Sequence, residues 1–157
     1  MTYRILPLPL AAFKPLFALS DAELEQRGAR RMVADAPHSA PCRVSLADAE
    51  PGEPLILLNH RHLDRPDSPY RADGPIFVRE AAIEAAPIDD AVPDMLRRRL
   101  LSLRLYGADG MMTDADVING TELDARLRVV FTDASIAEAH LHTARRGCYM
   151  ARAIRHG

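Results

Sequence analysis

The sequence predicts an α+β fold: a single domain over residues 1–157, built on a mostly antiparallel sheet with two to four short helices packed mainly on one face. Three observations carry this. Residues 100–106 and 111–118 flank a Gly-Ala-Asp-Gly turn, and Leu101, Leu103 and Leu105 alternate with Ser102, Arg104 and Tyr106, the pattern of a β-hairpin. From Leu100 onward the order reads strand, strand, helix, strand, strand, which suits an antiparallel sheet rather than βαβ units. A chain of 157 residues that is 48% hydrophobic and 27% charged is globular and long enough to bury a core.

Taken in order, residues 3–8 open as a strand kept short by Pro7 and Pro9, which have no N–H for a ladder. Ser20 with Glu23 fits a capping box and starts a short helix that fades near Gly28. Residues 30–34 read as a strand. Residues 36–54 are rich in turns, and within them Ser45, with Asp48 as its partner, is expected to cap one helical turn over 46–50. The unbroken apolar run 55–59 reads as a buried strand.

Residues 60–73, with Pro66 and Pro69, read as a polar loop carrying surface histidines. His60 and His62 share a face if the strand continues through them, but two such rings need further ligands to hold a metal. Residues 74–80 form the next strand, with Pro75 at its first position. A helix is expected within 89–99, with Pro93 in its first turn. Arg97, Arg98 and Arg99 then lie near its C-terminal end, where the dipole favours cations, so the triplet needs no nucleic-acid partner. Thr121 with Asp124 is expected to cap a helix whose apolar stripe is Leu123, Leu127, Val130 and Phe131. Asp109, Asp114 and Asp116 lack the spacing of a calcium loop.

The final stretch, 136–155, reads as two strands joined by a turn, with Gly147 at a φ > 0 corner. His140 and His142 share a face. A three- or five-residue loop sets His142 opposite Cys148 and His140 opposite Met150. A two- or four-residue loop sets His142 opposite Tyr149 and Leu141 opposite Met150. A glycine ending a bulged three-residue turn favours the first register.

Net charge is −2, so no global basic field recruits nucleic acid. The apolar N-terminal stretch is interrupted by Pro7 and Pro9, so no membrane span is expected. Two cysteines, Cys42 and Cys148, are too few for a secreted disulfide scaffold, and the expected setting is the cytoplasm.

Four segments, PCRVSLADAEPGE (41–53), SPYRADGPIFVRE (68–80), LRLYGADG (103–110) and ARRGCYMARAIR (144–155), together resemble a bacterial family, the domain of unknown function 1203. The resemblance implies a compact bacterial protein and no particular activity. Its pattern singles out Cys42, Arg43, Tyr70, Gly74, Pro75, Arg152 and the Gly147-Cys148 corner. Some members carry a second cysteine where this chain has Ser45 and a histidine where it has Arg79, so a Cys-x-x-Cys site shared by those relatives is not complete here.

These residues suggest binding of a small anionic metabolite. Arg43, Tyr70, Arg79 and Arg152 would hold a carboxylate or phosphate, because the guanidinium fork matches those groups two bonds at a time. Cys148 or Cys42 would serve as nucleophile with His142 or His140 as its base. No motif names a reaction, so enzymatic activity stays open, and no metal or cofactor is expected. A minor reading, metal held by His140, His142 and Cys148 with Cys42 or His60, needs the register that pairs His142 with Cys148. A Cys42–Cys148 disulfide is opposed by a cytoplasmic setting. The alternative function is a non-catalytic assembly module, a homodimer through a sheet edge or through the 100–118 hairpin.

Overall fold

The computed structural model describes residues 2–157. The first half of the chain carries β1 (Tyr3–Leu6), α1 (Asp21–Gln26), β2 (Arg30–Val33), β3 (Pro41–Cys42), β4 (Ala47–Asp48), β5 (Pro54–Leu63) and β6 (Ala72–Arg79). The second carries β7 (Ile88–Asp89), α2 (Asp94–Arg97), β8 (Leu100–Gly107), β9 (Met112–Asn119), α3 (Leu123–Val130), β10 (Ile136–Thr143) and β11 (Tyr149–Arg155). They form two sheets rather than one: a six-stranded sheet ordered β7-β1-β11-β10-β8-β9 and a five-stranded sheet ordered β2-β5-β6-β3-β4. Every pairing is antiparallel except β3 with β6. No helix among the described residues is long and apolar enough to cross a membrane.

The expectation that the helices pack on one face is corrected. On one face of the six-stranded sheet, Leu101, Leu103, Leu105, Ala139, Leu141, Ala151 and Ala153 bury against Leu96 of α2 and Leu123, Leu127 and Val130 of α3. The first helix goes elsewhere: Leu24 of α1 packs with Ala29 and with Ile56 of the five-stranded sheet. Each sheet has its own apolar face to cover, so the helices divide between them. The sheets meet where Tyr149 of β11 joins Cys42, Val44, Ile76 and Val78 in one cluster.

Local departures have identifiable causes. The predicted turn of helix after Ser45 is absent, because Leu46 sits at φ 51 and Asp48 is drawn to Arg99 at 2.6 Å. The helix predicted within 89–99 is only α2, with Pro93 as its N-cap, since Asp89 is taken into β7 beside β1. Asp124 does not cap with Thr121; it accepts a hydrogen bond from the Tyr3 hydroxyl and pairs with Arg128. The expected loop 60–73 is shorter, because β5 and β6 stay paired as far as Leu63 and Ala72.

The capping box at α1 is present: Ser20 Oγ accepts from Glu23 N, and Glu23 accepts from Ser20 N. Ser20→Ala is expected to cost about 1 kcal/mol. A urea midpoint unchanged by the substitution would show that the box contributes nothing to the folded state. At the edge strand β9, the N–H groups of Ala115 and Val117 donate to the carboxylates of Asp114 and Asp116.

Candidate functional site

Strand periodicity builds the site. Ala139 and Leu141 of β10 are fully buried in the helix-facing core, which turns Glu138, His140 and His142 to the opposite face. There they meet His62, near the end of β5. The ring centroids of His62 and His142 are 4.8 Å apart, those of His62 and His140 6.1 Å, and those of His140 and His142 6.3 Å. Tyr149 stacks on His62 at 5.7 Å, and Tyr106 lies 4.9 Å from His140. His60 stays outside the cluster, packed between Phe13 and Tyr149.

Each deep ring is fixed from behind. His142 Nδ1 meets the Gly147 carbonyl at 2.9 Å, and His140 Nε2 meets Glu138 Oε1 at 3.2 Å. Arg152 steadies Glu138 at 3.2 Å. The other nitrogens, His140 Nδ1 and His142 Nε2, are buried without a hydrogen-bond partner among the described residues, as is His62 Nδ1. Burial pushes His142 down to about 3 and His62 down to about 4, and the cationic Arg104 nearby adds to both. Both rings are therefore neutral at physiological pH. The Glu138 carboxyl is held below its usual range by the hydrogen bond with His140, against the effect of burial.

The turn register is the second of the two foreseen. His142 faces Tyr149, not Cys148, and a bulge then leaves Leu141 opposite Ala151 and His140 opposite Arg152. Gly147 does sit at φ 77. The four-residue loop forms because Thr143 and Cys148 bond across it, Thr143 N to Cys148 O, and Gly147 N returns to Thr143 O. This register removes Cys148 from the imidazoles.

Cys148 instead lines a cleft of about 910 Å³ between the five-stranded sheet and the β10–β11 turn. Arg43, Arg98, Arg99, Arg145 and Arg146 line it too. Asp48 neutralises part of this wall by pairing with Arg99 at 2.6 Å and Arg98 at 3.4 Å. Arg43 is nearly fully buried; its Nε donates to Tyr149 O at 2.6 Å and its Nη1 to Pro41 O. Burial lowers its pKa to about 10. Among the described residues, neither Arg43 nor Arg145 nor Arg146 has a carboxylate partner.

Of the residues singled out from sequence, Arg43 and Cys148 line this cleft and His142 joins the imidazole cluster. Cys42 is fully buried, its sulfur accepting from Arg79 N and Ser45 N, and it is not exposed to the cleft. Arg79 pairs with Glu53 at 2.7 Å, Arg152 with Glu138, and Tyr70 lies edge-on to Tyr106 at 6.2 Å. Both cysteines are free thiols. Sequence reasoning set His62 aside as a surface histidine and did not single out Glu138, Arg145 or Arg146. The available signal was a pair of His-x-His runs, His60/His62 and His140/His142, each at strand spacing.

Comparison with the curated proteins and with the solved structures finds no match. The family model described as a protein of unknown function (DUF1203) matches residues 39–155, which takes in β10, the β10–β11 turn and every cleft arginine, and the chain belongs to that family.

Proposed function

We propose that the protein binds a small carboxylate or phosphate in the arginine-walled cleft, with Cys148 at its side. The observation that carries this is the set Arg43, Arg145 and Arg146, three guanidinium groups on one cleft with no carboxylate partner among the described residues. Arg43 is the buried member of the set, and a buried cation is costly unless it is paired, so an incoming anion supplies the missing charge; Arg145 and Arg146 are exposed and add their charge from the turn. Arg43 spends two of its donors on backbone carbonyls, which orient the group without neutralising it. Cys148 is the reactive side chain within reach of such a ligand, and neither a base beside it nor a reaction is assigned.

Protection of Cys148 from alkylation tests the reading. Inorganic phosphate and a panel of di- and tricarboxylates are expected to slow iodoacetamide labelling in the intact chain. The double variant Arg145→Ser/Arg146→Ser should need at least about tenfold more ligand, since each charge-assisted hydrogen bond is worth roughly 1.5–3 kcal/mol. Labelling that no anion slows, or that anions slow equally in the variant, would sink it.

Pairing of β1 with β11 and the shared cluster at the seam support reading residues 1–157 as one domain. The cytoplasm, where free thiols such as Cys42 and Cys148 stay reduced, is the setting we infer. Homo-oligomeric assembly is the second reading. The sealed N–H groups of β9 weigh against that edge, whereas edge strand β2 exposes Met32 and Val33, the latter by 61%. Light scattering that finds a monomer at every concentration would remove it.

A further inference from the structure

We propose that His62, His140 and His142 form a site for one divalent transition-metal ion of the zinc class, separate from the arginine cleft. One ring nitrogen from each lies within 4.8 Å of the other two. A tetrahedral ion bound at about 2.0–2.1 Å needs nitrogens roughly 3.3 Å apart, so modest ring rotations close the set.

Three features favour an ion over a packed histidine cluster. First, the hydrogen bonds behind His140 and His142 assign their protons. With Nε2–H given to Glu138 and Nδ1–H to Gly147 O, His140 Nδ1 and His142 Nε2 are left as lone pairs. Both belong to rings that are at most 1% exposed, and neither has a donor among the described residues. Second, a carboxylate on one ring and a backbone carbonyl on another are the usual outer partners of metal-bound histidine. Third, the rings come from two sheets, which fixes their relative position through the fold rather than through a flexible loop.

Three imidazoles leave a fourth position for water or a small anion, the coordination set of reactive rather than purely structural zinc. Imidazole donors without thiolate or extra carboxylate disfavour calcium and magnesium and suit zinc, copper, nickel or cobalt. Arg104, the cross-strand neighbour of His140, stands on the same sheet face as the rings and favours an anionic fourth ligand.

The test is titration of the chelator-treated full chain with Co²⁺, followed by displacement with Zn²⁺. The expected result is one equivalent of Co²⁺ with visible bands of low coordination number, displaced stoichiometrically by Zn²⁺. His62→Ala, at the most accessible of the three rings, should weaken uptake about a hundredfold or more, and Glu138→Gln by about 10–100-fold. His60→Ala, on the same face of β5, and Arg145→Ser/Arg146→Ser should leave uptake unchanged, the latter separating this site from the anion cleft. Absence of saturable uptake by the folded wild-type chain overturns the proposal whatever the variants do. Equal uptake by a folded His62→Ala chain, verified by circular dichroism, overturns it as well.

Discussion

Gly120→Ala is expected to destabilise the protein by about 3 kcal/mol or more, at the upper end of overpacking substitutions. A Cβ there would lie 1.9 Å from Leu96 O and 2.6 Å from Arg97 O. Both obstacles are backbone carbonyls of α2 and cannot swing aside as a flexible side chain would. Gly120 also donates its N–H to Arg99 O at 2.8 Å, so moving it breaks the bond that ties the link between α2 and β8 to the start of the turn before α3. Leu96 and Leu123, on either side of this contact, are both fully buried in the large core, which transmits any shift. Gly28→Ala is the contrast. Gly28 sits at φ 71 with nothing within 4 Å of the added carbon, so it bears only the left-handed cost of roughly 1–2 kcal/mol. Urea denaturation of both variants decides the matter, and equal losses would mean that the α2 contact is not as tight as its geometry.

Acid should unfold the metal-free chain earlier than its carboxylates alone would. His62 and His142 are held at about 4 and about 3, mainly by burial, against about 6.5 in an unfolded chain. Because the folded values lie below the unfolded one, the unfolded chain takes up these protons first as pH falls. The stabilisation from keeping both rings neutral is complete above pH 6.5 and drains away down to about 4 for His62 and about 3 for His142. Each ring loses about 1.4 kcal/mol per pH unit inside its window. Two together amount to about 2.7 kcal/mol per unit, a large share of a typical 5–15 kcal/mol. His60, lowered by burial as well, acts in the same direction. The carboxylates held low, such as Glu53 and Asp89, contribute only as pH approaches and passes below the usual carboxylate range. Stability measured by urea at pH 7.5, 6.0 and 5.0 should therefore already fall between the last two. A flat response there would contradict the buried neutral pair.

Much of the fold was legible because it rests on local signals. The capping box at Ser20, the 100–118 hairpin and the strands of the last segment are set by residues close in sequence, and all are present. Division of the strands into two sheets was not legible, because it depends on which apolar face meets which, and strand pattern alone assigns no partner. The turn register at Gly147 was open because either loop parity satisfies the alternation of His140 and His142; the cross-turn bonds of Thr143 and Cys148 decide it. His62 was hidden behind Pro66 and Pro69, which suggested a loop, whereas the ladder continues to Leu63 before those residues interrupt it. Arg145 and Arg146 lie in the turn of the last segment, where strand alternation assigns no neighbour, and only the surrounding cleft distinguishes them.

The pairing of Tyr3–Leu6 with Arg152–Arg155 has a consequence for biosynthesis. A ribosome releases the chain from its N-terminus, so β1 emerges well before its neighbour β11, with the other described strands made between them. Tyr3 and Ile5, both fully buried in the fold, remain without this cover until β11 has been made. Such long-range closure slows folding and prolongs exposure of apolar segments to other nascent chains. The brevity of β1, four residues from Tyr3 to Leu6 before Pro7, limits how sticky that waiting segment is.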